Sequence, residues 1–75
     1  METLVENLAK ALVDHPESVQ ISTAEEDGET VIRLSVAQED MGKVIGKQGR
    51  IAKAIRTVVK AAAIKKGERV TVEII

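Results

Sequence analysis

The sequence predicts an α+β fold: a two-layer sandwich of order α-β-β-α-α-β, with a three-stranded mixed sheet covered by helices on one face. Three observations carry this. Leu4, Val5, Leu8 and Leu12 fall at helical spacing with Glu and Lys between them. Two alternating stretches then meet at Asp27-Gly28, a dipeptide suited to the positive φ of a hairpin turn. A long helical pattern finally ends at Gly67 and gives way to Val70, Val72 and Ile74 alternating with Thr71 and Glu73.

Each element has a local reason. The first helix should end near His15, because Pro16 cannot continue the hydrogen-bond ladder and disfavours helix at the residue before it. Residues 19–23 alternate apolar and polar as a first strand, and Glu25-Glu26-Asp27-Gly28-Glu29 forms the hairpin tip. Residues 30–37 make the second strand, with Ile32, Leu34 and Val36 on one face and Arg33 and Ser35 on the other. A short apolar turn of helix at residues 41–45 leads to Gly46 and Gly49, and residues 50–66 form a long helix capped by Gly67. The last strand should run parallel to the second after this helical crossover. Every strand keeps one polar face, so the helices should cover only the other. No repeat or linker divides residues 1–75, which are expected to form a single domain.

Composition narrows the chemistry. At 75 residues there is room for one small core, and a partner would add stability. The hydrophobic share of 44% and charged share of 31% are those of a globular chain. Cysteine is absent, which excludes disulfides, thiolate metal sites and cysteine nucleophiles. Phe, Tyr and Trp are also absent, which removes any aromatic base-stacking platform. No apolar run reaches membrane-spanning length, and Met1-Glu2-Thr3-Leu4 lacks the start of a signal peptide, so a cytoplasmic location is expected.

The net charge of -1 conceals an asymmetry. Residues 1–40 hold ten acids against Lys10 and Arg33, whereas residues 41–75 hold nine bases against Glu68 and Glu73. From Lys43 to Lys66 there is no acid. Such a single-signed stretch reads either as an anion-binding surface or as a solvated helix face.

Several tempting residues lead nowhere. His15 is the only histidine, so no histidine metal cluster exists; before Pro16 it should cap carbonyls or meet the negative end of the helix dipole. Glu25, Glu26 and Asp27 lack calcium-loop spacing and read as a solvated tip. Ser18, Ser22 and Ser35 have no base partner. No catalytic residue, metal site or cofactor is expected, and the chain does not read as an enzyme.

The informative segment is Gly42-Lys43-Val44-Ile45-Gly46-Lys47-Gln48-Gly49-Arg50. It is not a Walker loop, because Gly42 lies only four positions before Gly46 and Gln48 follows Lys47. It is not G-x-G-x-x-G, and its charged surroundings exclude a membrane-helix dimer motif. What it offers is Gly46-Lys47-Gln48-Gly49 leading into a helix start. There glycine permits a sharp turn and close approach, while free amides and the helix dipole favour a phosphate. Lys47 and Arg50 add charge at the same place. By themselves two glycines three apart read first as a tight helix–helix turn.

The setting decides between these. Val44-Ile45-Gly46-Lys47-Gln48-Gly49 in an α-β-β-α-α-β chain of this length resembles a type II K-homology (KH) domain. Residues 40–50 with Ala54-Ile55-Arg56-Thr57-Val58, and His15-Pro16-Glu17 after the first helix, resemble the small stand-alone bacterial KhpA family over essentially the whole chain. Many KH domains place Ile or Leu three residues after the second loop glycine; here Ala52 stands there with Ile51 before it, and KhpA-like proteins also tend to have a small residue at that position. The resemblance implies RNA binding, since the G-x-x-G loop of KH domains clamps about four single-stranded nucleotides. It implies that Gly46, Lys47, Gln48 and Gly49 form the clamp, that Gly42, Val44 and Ile45 supply the groove wall or its packing, and that Lys43, Arg50 and Lys53 contact phosphates. Binding of short single-stranded RNA with low sequence selectivity, in RNA metabolism or post-transcriptional regulation, is the leading expectation. A protein-interaction adaptor and a ribosomal RNA or ribosome-assembly binder are the alternatives.

A partner surface is also expected. Along residues 50–66, Ile55, Val59 and Ala62 should face the sheet, while Lys53, Arg56 and Lys60 should lie opposite and stay wet. Ile51, Ala54, Val58 and Ala61 then occupy a flank with the three-four-three spacing of paired helices, and two alanines permit close approach. They mark an expected dimer interface. The resemblance adds a larger KH-containing partner of the KhpB kind as a second possible occupant.

Overall fold

The computed structural model describes residues 1–75, except the side chain of Lys47. Its elements are α1 (Glu2–Leu12), a single 3-10 turn (Pro16–Ser18), β1 (Gln20–Glu26), β2 (Glu29–Ser35), α2 (Gln38–Lys66) and β3 (Val70–Ile74). β1 and β2 pair antiparallel, β2 and β3 pair parallel, and the sheet order is β1-β2-β3. The hairpin turn is the two-residue kind the sequence predicts, with Asp27 and Gly28 both left-handed at φ 53° and 77°.

α2 is helical by hydrogen bonding throughout but is not one straight rod. Twenty-nine residues at 1.5 Å each would extend about 44 Å, beyond the 34 Å long axis of the whole molecule. The break falls at Gln48 and Gly49, both left-handed at φ 64° and 69°. It divides the span into residues 38–47 and 50–66, which restores the expected α-β-β-α-α-β order. Gly67 closes the second part at φ 70°: its amide bonds to the Ile64 carbonyl and that of Glu68 to Ala63.

One face of the sheet carries the core. Ile32 and Leu34 of β2 and Val72 of β3 pack against Val5 and Ala9 of α1 and against Val44, Ala52, Ile55 and Val59 of α2. The other face is polar except for the Ala24–Val31–Thr71 rung, where Val31 is buried between its cross-strand neighbours.

Three expectations need correction. α1 stops at Leu12, not near His15: Val13 is already extended, and the next two amides bond to the Asp40 carboxylate instead of to the helix. The buried stripe of α2 is Ala52, Ile55, Val59 and Ala63, with Ala62 only half-buried. Lys53, Arg56 and Lys60 are exposed as expected but do not lie opposite that stripe. At 100° per residue the four buried positions span an arc of about 80°, and the three bases occupy the next stretch of the circle, on the side bordering β3.

Candidate nucleic-acid interface

The turn at residues 46–49 is built by backbone conformation. Two successive left-handed residues reset the helix axis, so that residues 50–66 start as a new helix immediately after the turn. Glycine meets that requirement at 49; Gln48 adopts it with a side chain, at a cost of the order of 1 kcal/mol. Gly46 is different. Its φ is not positive, and a Cβ placed on it would meet nothing within 4 Å. The fold therefore has no use for glycine at 46, which in a helix is worse than alanine by about 1 kcal/mol.

Beside the turn lies an open groove of about 370 Å³ lined by Ile45, Gln48, Gly49, Ala52, Lys53, Arg56 and Ile74. Its walls are aliphatic: Ile45 is 53% exposed and Ile74 half-buried. Its rim is cationic. Arg56 is positioned by its Nε, which donates to the Val72 carbonyl of β3 at 3.3 Å and leaves the rest of the guanidinium toward solvent. Among the described residues, neither Lys53, Arg56 nor the exposed Arg50 forms an ion pair within 4 Å.

The remaining residues singled out in the sequence sort by position. Ile45 borders the groove, Val44 is sealed in the core one residue before it, and Gly42 is exposed on the same helical segment. Lys43 turns the other way, with its Nζ 3.1 Å from Asp14 at the end of α1. Ala54, Val58 and Ala61 are exposed on the flank of α2 away from β3, while Ile51 is half-buried against the core. His15 caps no carbonyl of α1: its ring lies 3.5 Å from Glu17 and 3.8 Å from Glu39. Glu25 and Glu26 at the hairpin tip serve neighbours, accepting from Thr30 and Arg33.

Sequence reasoning missed two residues. Arg56 lines the groove, and its spacing of three from Lys53 was the available signal. Asp40 is buried, with its two carboxylate oxygens accepting from the amides of Asp14 at 3.1 Å and His15 at 3.0 Å. No local pattern marks it, because its partners lie 25 and 26 positions away.

Electrostatically the two faces differ. On the open sheet face Arg33 is held between Glu26 at 2.9 Å and Glu73 at 3.1 Å, and those hydrogen bonds, Glu26 first, raise its pKa above the ordinary arginine value. That cation is neutralised in place, whereas the cations at the groove are not.

A three-stranded mixed sheet covered on one face, with a glycine-flanked left-handed turn between two helical segments and an aliphatic groove beside it, defines a type II KH domain. Comparison with known proteins narrows the class. The KhpA/KhpB KH domain matches residues 2–74, and the chain belongs to that family. It is 61% identical over 75 residues to the RNA-binding protein KhpA of Clostridium acetobutylicum and 61% identical to that of Clostridium perfringens, covering 100% of both chains in each case. It is 55% identical to the RNA-binding protein KhpA of Listeria monocytogenes, over 100% of this chain and 99% of the other. These names denote binding proteins, not enzymes. No solved structure matches the chain.

Proposed function

We propose that this chain binds short single-stranded RNA with little base selectivity, through the turn at residues 46–49, and acts in post-transcriptional RNA metabolism in the cytoplasm. The observation that carries the reading is Gly46: a helical glycine with open space around it, beside a left-handed turn, an aliphatic groove and unpaired cations. A glycine that the fold does not need leaves room for something arriving from outside, and Arg50 and Lys53 beside the turn offer charge to a phosphate. The names of the relatives supply the nucleic acid. Without aromatic residues, bases can only lie against Ile45, Ala52 and Ile74, so stacking worth ~1–3 kcal/mol per base is missing and affinity per nucleotide is modest.

The test is the double substitution Lys47→Asp and Gln48→Asp, which sets two anions in the turn and leaves both glycines intact. RNA binding should collapse while circular dichroism and thermal unfolding stay those of a folded protein. Wild-type affinity in a folded variant would remove this turn from the function.

A second reading, that the fold also serves as a pairing unit, has its own observation. Val58 is 41% exposed between Ala54 and Ala61, on the flank of α2 that borders neither the sheet nor the groove. Ile51, half-buried against the core, drops out of the expected seam, and the four-three spacing of Ala54, Val58 and Ala61 suits a second copy of this chain crossing there, with the alanines permitting close approach. A larger KH protein seated on the same flank is the competing outcome of the oligomer measurement.

A further inference from the structure

Lys43 stands one helical turn before Gly46 on the segment 38–47, and residues three apart on a helix share a face. By position it belongs with the cations of the turn. Its charge is directed elsewhere, since Nζ donates to Asp14 Oδ1 at 3.1 Å. Among the described residues it is the one base between 43 and 66 that lies within 4 Å of an acid. The same segment holds Asp14 a second time. The Asp14 amide donates to Asp40 Oδ1 at 3.1 Å, and Asp40 precedes Lys43 by three positions on that face. Asp40 is buried and also accepts from the His15 amide at 3.0 Å, so the backbone that carries the Asp14 carboxylate is anchored.

We propose that Asp14 withholds Lys43 from RNA held at the turn and so limits the grip of the site. The inference rests on the proposed RNA-binding role of the turn. It adds a positioning residue from the end of α1 and names the lysine through which that residue acts. The pair is exposed, with 47% of the lysine side chain and 70% of the aspartate side chain accessible, so it is of the weak, solvent-screened kind. A strand that took Lys43 would break one such pair to make another. While Asp14 is present the exchange yields no net affinity, and Lys43 becomes a phosphate contact only when the acid is gone. Each such contact adds about 0.7 to the slope of log K against log salt on a single strand.

The experiment is a double-mutant cycle on the full chain: wild type, Asp14→Asn, Lys43→Gln and both together. Binding of a labelled oligouridine of about eight nucleotides, long enough to pass the turn on both sides, is read by fluorescence anisotropy over a salt series. Thermal unfolding checks that each variant is folded. Asp14→Asn keeps the backbone amide that Asp40 holds and removes only the charge. It should bind up to about fivefold more tightly, the worth of one exposed ion pair, with a slope steeper by about 0.7. Lys43→Gln should bind like wild type, and the combined variant should return to wild-type affinity and slope. Wild-type binding by Asp14→Asn overturns the inference. So does a gain that persists in the combined variant, because the charge then acts at a distance and not through Lys43. A weaker and shallower Lys43→Gln overturns it too, since Lys43 would already hold a phosphate. Lys47→Asp with Gln48→Asp runs alongside: binding that survives there overturns the role of the turn itself, whereas lost binding there beside a flat cycle overturns the role of Asp14 alone.

Discussion

Asp40 shows how a single side chain holds the site in place. It occupies the first turn of α2, where the positive end of the helix dipole favours an anion, and it is 1% exposed. Both oxygens are used by the backbone of Asp14 and His15, so the carboxylate pins the end of α1 to the helical segment that leads into the turn. Asp40→Ala leaves two amides without their acceptor and should lower stability by about 2–3 kcal/mol in urea unfolding, with Asp40→Asn recovering part of it. A loss below about 0.5 kcal/mol would mean that water replaces the carboxylate without penalty. Gly46 gives the opposite expectation. Gly46→Ala should stabilise the fold by up to about 1 kcal/mol, since the added Cβ meets nothing, while weakening RNA binding. An alanine variant that binds RNA like wild type would show that no ligand approaches there. Both residues mark the limit of reading by sequence: glycine in a G-x-x-G pattern announces itself, whereas an acid at a helix start looks the same whether it is wet or buried under a distant loop.

At the level of elements, what was legible was what local chemistry dictates. Alternation set the three strands, Asp27-Gly28 set the hairpin, and Gly67 set the end of α2, because each depends on side-chain periodicity or on one residue's φ. What escaped depended on tertiary partners: the early end of α1, and the rotation of α2 that brings Ala63 inward and aims Lys53 and Arg56 along β3. An error of one helix position there turns a groove wall into a solvent face. The same rotation leaves Val58 outward with Ala54 and Ala61. If a second copy covers that flank, Val58→Glu should give monomers by light scattering at concentrations where wild type is dimeric, with little change in stability, since an exposed position tolerates a charge. Wild type already monomeric at high micromolar concentration would end the pairing model, and dimers persisting in Val58→Glu would move the interface elsewhere.

The whole molecule separates its charges in space as well as along the chain. Glu26, Glu29 and Glu73 lie on the open sheet face, with Arg33 bound between two of them and Thr71 donating to Glu29 at 2.8 Å. The helical side holds the uncompensated cations. With a net charge of -1 the molecule as a whole exerts no long-range pull on a polyanion, so attraction is local and one-sided: a strand is repelled by the sheet face and drawn to the helical one. This sets the salt dependence of binding. Were all nine bases of residues 41–75 to neutralise phosphates, log K against log salt would slope by about -6 on a single strand. On the proposed reading far fewer meet a four-nucleotide strand: Lys43 is paired with Asp14, while Lys60, Lys65, Lys66 and Arg69 lie beyond the residues of the groove. Three to four contacts remain around the turn, from Lys47, Arg50, Lys53 and Arg56, and the slope should be about -2 to -3. A slope near zero would favour the pairing function over RNA binding, and one near -6 would mean diffuse attraction to the basic half in place of a built site.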